Sequence, residues 1–188
     1  NDLKTAKKEC SKENKVINDL VTVTDLTATI LNYAGIDKPK YMTGNSFLKD
    51  DFNRKYVYAA RDQWDEIMDK SRAIVTKKWK YIRNYKPEIP YDAGQAYLEF
   101  YRPAVHIMRT AKSKNLLTNA QLHFFKESKD LEELYDLEND PHEINNLALD
   151  PSFQNVMNKF RIDMEEYNKR YSPMSDEYEP IIAESVVI

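Results

Sequence analysis

The densest run of chemically able side chains is Arg61-Asp62-Gln63-Trp64-Asp65-Glu66-Ile67-Met68-Asp69-Lys70-Ser71-Arg72, which mixes guanidinium, carboxylate, amide and indole groups. A guanidinium fork suits sulfate or carboxylate, and a neighbouring carboxylate can hold sugar hydroxyls. Arg61, Asp62 and Arg72 are therefore the candidate binding residues for an anionic sugar, with Arg61 and Asp62 as a pair at the start of the run. The competing reading is a solvated loop with internal ion pairs. The run reads as a connection too long for a tight hairpin, and binding residues collect on such loops when a sheet holds their ends.

No other group of residues reads as a reaction centre. Cys10 is the only cysteine, so no internal disulfide framework exists, and it reads as a lone solvent-facing thiol. His106, His123 and His142 fall on different elements without a second His or Cys beside them, which leaves no metal ligand set. Asp136, Glu138, Asn139 and Asp140 offer oxygen ligands but lack the glycine and distal glutamate of a calcium loop, so a turn with a helix cap explains them better. Gly35, Gly44 and Gly94 are too far apart to cradle a phosphate. The residues assign no catalytic and no metal-binding role within the chain.

A length of 188 residues with 41% hydrophobic side chains suffices for one domain with an appendage. Charged residues are frequent, but they nearly cancel at a net −3, so neither a nucleic-acid-binding face nor an acidic tail is indicated. No apolar run spans a bilayer and no signal peptide opens the chain, so a membrane is not an expected partner. The opening Asn1-Asp2-Leu3-Lys4 looks like a mature piece or an excised fragment.

Residues 1–20 form a polar lead-in, 21–171 the folded unit, and 172–188 an acidic, proline-punctuated tail ending in Val186-Val187-Ile188. Leu26, Ile30, Leu31 and Ala34 lie at helical spacing, Thr24 or Asp25 can cap the start, and Gly35 stands where a left-handed C-cap is wanted. Strand composition marks residues 56–60 and 72–76, and residues 79–85 alternate after a Lys77-Lys78 turn. Trp79, Tyr81, Arg83 and Tyr85 share one face of that last strand. Its aromatics could stack on a sugar or pack beneath a helix, and the second is favoured by a matching apolar stripe at Phe153, Val156, Met157, Phe160, Met164 and Tyr167. A helical region over 95–112 should break or reset at Pro103, and 118–125 reads as a second short helix. These elements predict an α+β fold, a small antiparallel sheet of about four strands with a C-terminal helix packed on one face and helical insertions.

Residues 132–148 spell Glu-Glu-Leu-Tyr-Asp-Leu-Glu-Asn-Asp-Pro-His-Glu-Ile-Asn-Asn-Leu-Ala, read as a strand, a turn at Asp140-Pro141 and a helical turn capped by Asp140 with Glu143 three residues on. The string resembles the Glu-Leu-Tyr-Asp-Leu…Asp-Pro-x-Glu…Asn-Leu-Ala signature of the formylglycine-dependent sulfatases, in their C-terminal subdomain. Three further motifs stand in the family's order. Asp25-Leu26-Thr27-Ala28-Thr29-Ile30-Leu31 with Ala34-Gly35 is similar to Asp-Leu-x-Pro-Thr-x-Leu…Ala-Gly, with Ala28 for the proline. Gly44-Asn45-Ser46-Phe47-Leu48 resembles a Gly-x-Ser-Leu loop with Phe47 inserted, and Arg72 through Tyr85 resembles the Arg-x-Val-x-Thr-x-x-x-Lys-Tyr-Ile-x-Asn hairpin with Ile74 at the valine. The look is that of the heparan N-sulfatase (sulfamidase)-like branch.

The resemblance implies a parent enzyme that hydrolyses sulfate esters or sulfamates of sulfated sugars in the periplasm or outside the cell. It implies that formylglycine and calcium belong to an N-terminal domain of the same polypeptide, which would be this chain's partner together with the sugar. The family's nucleophile motif, Cys/Ser-x-Pro-x-Arg, does not match Cys10-Ser11-Lys12-Glu13-Asn14, so this part alone is expected to be silent. A free-standing carbohydrate- or protein-binding module is the alternative, and the two part at the helix over 25–34. An enzyme subdomain should leave its apolar face open for docking, and a module should cover it.

Overall fold

A computed structural model describes residues 18–171. The expectations for Cys10 and for the 172–188 tail lie outside them. Four strands, β1 (Val57–Trp64), β2 (Ile67–Val75), β3 (Trp79–Asn84) and β4 (Glu132–Asp136), form an antiparallel meander in the order β1-β2-β3-β4. Helix α1 (Val23–Tyr33) precedes the sheet. Helices α2 (Ala96–Tyr101), α3 (Pro103–Ser113) and α4 (Asn119–Leu122) are inserted between β3 and β4, and α5 (Gln154–Tyr171) closes the described chain. Among the described residues no helix is long and apolar enough to cross a membrane.

Alternation along β3 and the stripe on α5 meet as their periods require. Ile74, Tyr81 and Leu134 from the sheet and Met157, Phe160 and Met164 from α5 form the buried core with Ala148. Tyr81 stacks on Phe160 with ring centroids 5.8 Å apart, Trp79 meets Phe153 edge-on at 5.6 Å, and Tyr58 stacks on Tyr167 at 3.9 Å. Each large side chain buried there contributes about 1.5–3 kcal/mol, so this one face carries most of the apolar stabilisation of the sheet. The aromatic face of β3 is thus core rather than a sugar platform.

The turn between β2 and β3 needs no glycine because Thr76 supports it. Its backbone N–H donates to the Trp79 carbonyl at 2.8 Å while its hydroxyl accepts from the Trp79 N–H at 2.7 Å. Pro103 resets the helical region, standing at the first position of α3, where its missing N–H costs nothing. Asp150 opens the α5 region by accepting from the Ser152 N–H at 2.8 Å.

Two expectations are corrected. Residues 61–72 are not a long loop: β1 runs to Trp64, β2 starts at Ile67, and Asp65 takes a positive φ of 50° in the tight turn between them. The charged side chains concealed the strands because most pair across the hairpin instead of facing a core. The signature segment after Asp140 is likewise not helical. Glu143 adopts φ 55°, and Asp140 Oδ2 accepts from the N–H groups of Ile144 (2.8 Å) and Asn145 (2.7 Å), closing a turn. Glu143 instead reaches across to Lys80 Nζ at 2.5 Å.

Helix α1 ends at Gly35 as expected, but its N-cap is Thr22, whose N–H donates to Asp25 at 2.9 Å, rather than Thr24 or Asp25. Gly35, at φ 73°, ends it: the Ile36 N–H donates to the Leu31 carbonyl and the Gly35 N–H to Asn32, the paired bonds of a left-handed C-cap. Its buried side is Asp25, Ala28 and Thr29, held on the 44–47 loop by hydrogen bonds. Val23, Leu26, Ile30 and Tyr33, on the opposite side, are exposed.

Candidate functional site

The three candidate residues lie together near the end of the β1–β2 hairpin, where the ladder is irregular. Arg61 pairs with Ser71 and Gln63 with Met68, so Asp62 alone stands opposite Asp69 and Lys70. An extra residue in one strand strengthens the local twist and re-aims side chains. Successive side chains on a strand point to opposite faces, and Arg61 and Asp62 obey this. They do not form a single grip.

On the α5 face, Asp62 Oδ1 accepts from Arg72 Nη2 at 2.7 Å, and Arg72 Nη1 donates to the Arg61 and Ser71 carbonyls at 3.2 and 2.9 Å. Arg72 is buried and Asp62 is exposed. Arg72 is thereby a strut of the hairpin, and Asp62 is its solvent-facing end.

On the other face, Arg61 Nη2 pairs with Asp69 Oδ2. Asp69 Oδ1 also accepts from Lys129 Nζ at 2.5 Å and from the Lys70 N–H at 2.8 Å. Burial pushes the Asp69 carboxyl upward, but the Lys129 hydrogen bond and the Arg61 and Lys129 charges outweigh it and hold the group below the usual carboxylate range. Lys129 is buried, whereas Arg61 keeps 38% of its side chain exposed and lies 5.9 Å from the Trp64 ring centre. Sequence reasoning missed Lys129, which stands 60 positions from its partner with nothing local to mark it.

The hairpin tip is tied to the helical insertion. Asp65 accepts from the Gln95 amide and Glu66 from the Ala96 N–H, so the start of α2 sits on the turn. Arg109 of α3 bonds Asp92 (2.6 Å) and Glu99 (2.8 Å), which locks α2 against α3. Further along the same sheet face, Glu133 accepts from Asn84 Nδ2, Tyr91 OH and Tyr135 OH at 2.6–2.7 Å. The result is a rigid polar platform presenting one partly open guanidinium beside an indole, suited to an anionic or hydroxylated ligand.

The histidines stay apart from this site and from one another in role: His106 bonds the Glu99 carbonyl at 2.7 Å and His123 lies against Tyr91. Among the described residues no three His, Cys, Asp or Glu side chains are grouped to hold a metal ion. Asp136 instead accepts from the Glu138 and Asn139 N–H groups, an Asx turn that uses the ligand atoms internally.

The model of the family "N-sulphoglucosamine sulphohydrolase, C-terminal" matches residues 6–92 and 90–170. The chain belongs to this sulfatase family. It is 36% identical over 151 residues to an ulvan-active sulfatase of Formosa agariphila, covering 79% of this chain and 25% of that protein. A second ulvan-active sulfatase of the same organism is 30% identical over 168 residues, covering 81% and 30%. The chain therefore spans about a quarter of the length of the curated relatives it matches. A solved 2-O GAG sulfatase, BT1596, shares the fold at a TM-score of 0.55 and 21% identity, over 85% of this chain and 27% of that one. The four sequence motifs thus named the right family, and the matched region is the C-terminal part of a sulfatase.

Proposed function

We propose that residues 21–171 are the C-terminal subdomain of an enzyme that hydrolyses sulfate esters or sulfamates of sulfated sugars, with 1–20 leading in from its catalytic domain and 172–188 as a tail. The subdomain buttresses that domain and lends a wall of the substrate pocket around Arg61. The observation that carries this reading is the open apolar stripe of α1, Val23, Leu26, Ile30 and Tyr33, in a chain that spans a quarter of its relatives' length. A free-standing module would bury such a stripe. Covering it with a preceding domain satisfies both facts.

Calcium and formylglycine belong, on this proposal, to the preceding domain: the described residues form no ligand set that fits calcium. There, formylglycine, a modified residue of that domain's own chain, would supply the nucleophile for sulfur, and calcium would offset the sulfate charge. Arg61, held by Asp69 and Lys129, contributes an orienting contact to the sugar or its anion, and Asp62, engaged by Arg72 on the opposite face, supports the hairpin that carries Arg61.

The test is to compare this chain alone with the longer polypeptide on an aryl sulfate and on sulfated glucosamine, with calcium added. Turnover only by the longer polypeptide, and its loss of stability on Leu26→Glu with Ile30→Glu when the short chain melts unchanged, is the expected pattern. Turnover by the short chain overturns it.

A further inference from the structure

At the end of the sheet away from Arg61, the residues just before β1, the β2–β3 turn and the first turns of α5 enclose a groove of about 380 Å³. Its floor is Tyr56, Trp79, Val156 and Phe160, and Lys55 and Lys159 stand on its rim. Both lysines are exposed, and neither has an ion-pair partner among the described residues. That sets them apart from Arg54, Arg61, Arg72, Lys80, Lys129 and Arg161, which are all held by carboxylates. A larger groove of about 700 Å³ shares Lys55 and Tyr56 and adds Lys38, Lys49 and Arg54, but Arg54 is neutralised by Asp25, Lys38 is engaged by the Gly44 carbonyl, and Asp37 and Asp51 stand on the same lining. The cationic stretch is therefore the Lys55–Lys159 end.

We infer that this groove is a second saccharide site, which takes an anionic stretch of a sulfated polysaccharide away from the reaction pocket. The half-buried Tyr56 and Val156 offer apolar surface to the C–H face of a pyranose ring, while Trp79 and Phe160 stay packed against Phe153 and Tyr81. Unpaired ammonium groups on either side meet sulfate substituents without breaking an existing ion pair. Lys55 precedes Arg61 by six residues of nearly extended chain, which places the groove about 20 Å from the proposed pocket. One polymer could occupy both. The identity of the ligand rests on the sulfatase reading, whereas the groove and its charges do not.

The experiment uses the full-length polypeptide and its Lys55→Glu/Lys159→Glu variant, checked by thermal melt. Retardation in gels containing ulvan, or the same polymer chemically desulfated, is read at low and high salt. Two exposed ion contacts predict retardation about five- to tenfold weaker in the variant, specific to the sulfated polymer and erased by salt, with turnover of a small aryl sulfate unchanged. Equal retardation of variant and parent overturns the inference, as does a parent that binds the desulfated polymer equally well. If the polypeptide shows no sulfatase activity, the functional reading falls and the retardation still decides the groove.

Discussion

Lys129 Nζ lies 2.5 Å from Asp69 Oδ1, joining the segment before β4 to the irregular stretch of β2. Both groups are buried, and Asp69 at the same time anchors Arg61. The relationship converts a surface-looking charge run into a fixed support. It also makes the support vulnerable, because removing one member of a buried pair leaves the other charge desolvated.

Lys129→Met is accordingly expected to destabilise the chain by about 3–5 kcal/mol, read from the urea midpoint. The double variant Lys129→Met/Asp69→Leu should recover much of that loss, since the uncompensated charge has gone. A double-mutant cycle with no coupling between the two positions would show the pair to be energetically idle.

Glu132 should dominate the acid limb of stability. Arg161 grips it through Nε–Oε1 (2.8 Å) and Nη2–Oε2 (2.6 Å), Tyr81 OH donates at 2.6 Å, and Arg83 stands 3.0 Å away. The Arg161 hydrogen bonds, opposed by burial and aided by Tyr81 and the arginine charges, lower its pKa from 4.5 to about 2. A lowered native pKa means that the unfolded chain takes up the proton first as pH falls. The stabilisation, on the order of 2–3 kcal/mol, is therefore full above about pH 4.5 and disappears progressively toward pH 2. Urea melts across that window should steepen for the parent and flatten for Glu132→Gln.

Gly44→Ala should detach the loop from α1. A Cβ at that position would lie 2.0 Å from the Thr24 carbonyl oxygen and 2.9 Å from the Asp25 nitrogen, both backbone atoms with little freedom to move. The next N–H, of Asn45, donates to buried Asp25 at 2.8 Å, and Arg54 pairs with the same oxygen. We expect a loss of about 1–3 kcal/mol and faster hydrogen exchange at Asn45. Retention of the Asn45 protection would contradict the clash.

What was legible in the sequence follows from where periodicity and burial agree. Residues 79–85 and 153–171 were readable because each buries one face, so their apolar residues recur at the period of the element. Helix α1 was readable as a helix, and its stripe of Leu26 and Ile30 is open, as expected for an enzyme subdomain and not for a free-standing module. Periodicity reports which face is apolar and is blind to which polypeptide covers it. Residues 56–60 and 72–76 were readable as strands, but the outer half of the β1–β2 hairpin was hidden because Arg61, Asp62, Asp69 and Arg72 satisfy one another across the strands, leaving no alternation of hydrophobicity there. Lys129 had no local signal at all, because its role exists only after the chain has folded.

The division of Arg61 and Asp62 between faces sets different expectations for the three candidate residues in the full-length enzyme. Arg61 has an accessible guanidinium on a support that survives its loss, so Arg61→Ala should raise KM and lower kcat/KM about tenfold, the scale of one charge-assisted hydrogen bond, with an unchanged melt. Asp62→Ala removes the carboxylate that Arg72 Nη2 reaches, so a modest kinetic change should come with a lower melting temperature. Arg72→Ala removes a buried strut bonded to two carbonyls and a carboxylate, and there the loss of stability should exceed any kinetic effect. Arg61→Lys keeps the charge without the fork and should restore only part of the affinity. Kinetics indifferent to Arg61→Ala, with the melts ordered as above, would leave the hairpin as scaffold and move the pocket wall to another face of the subdomain.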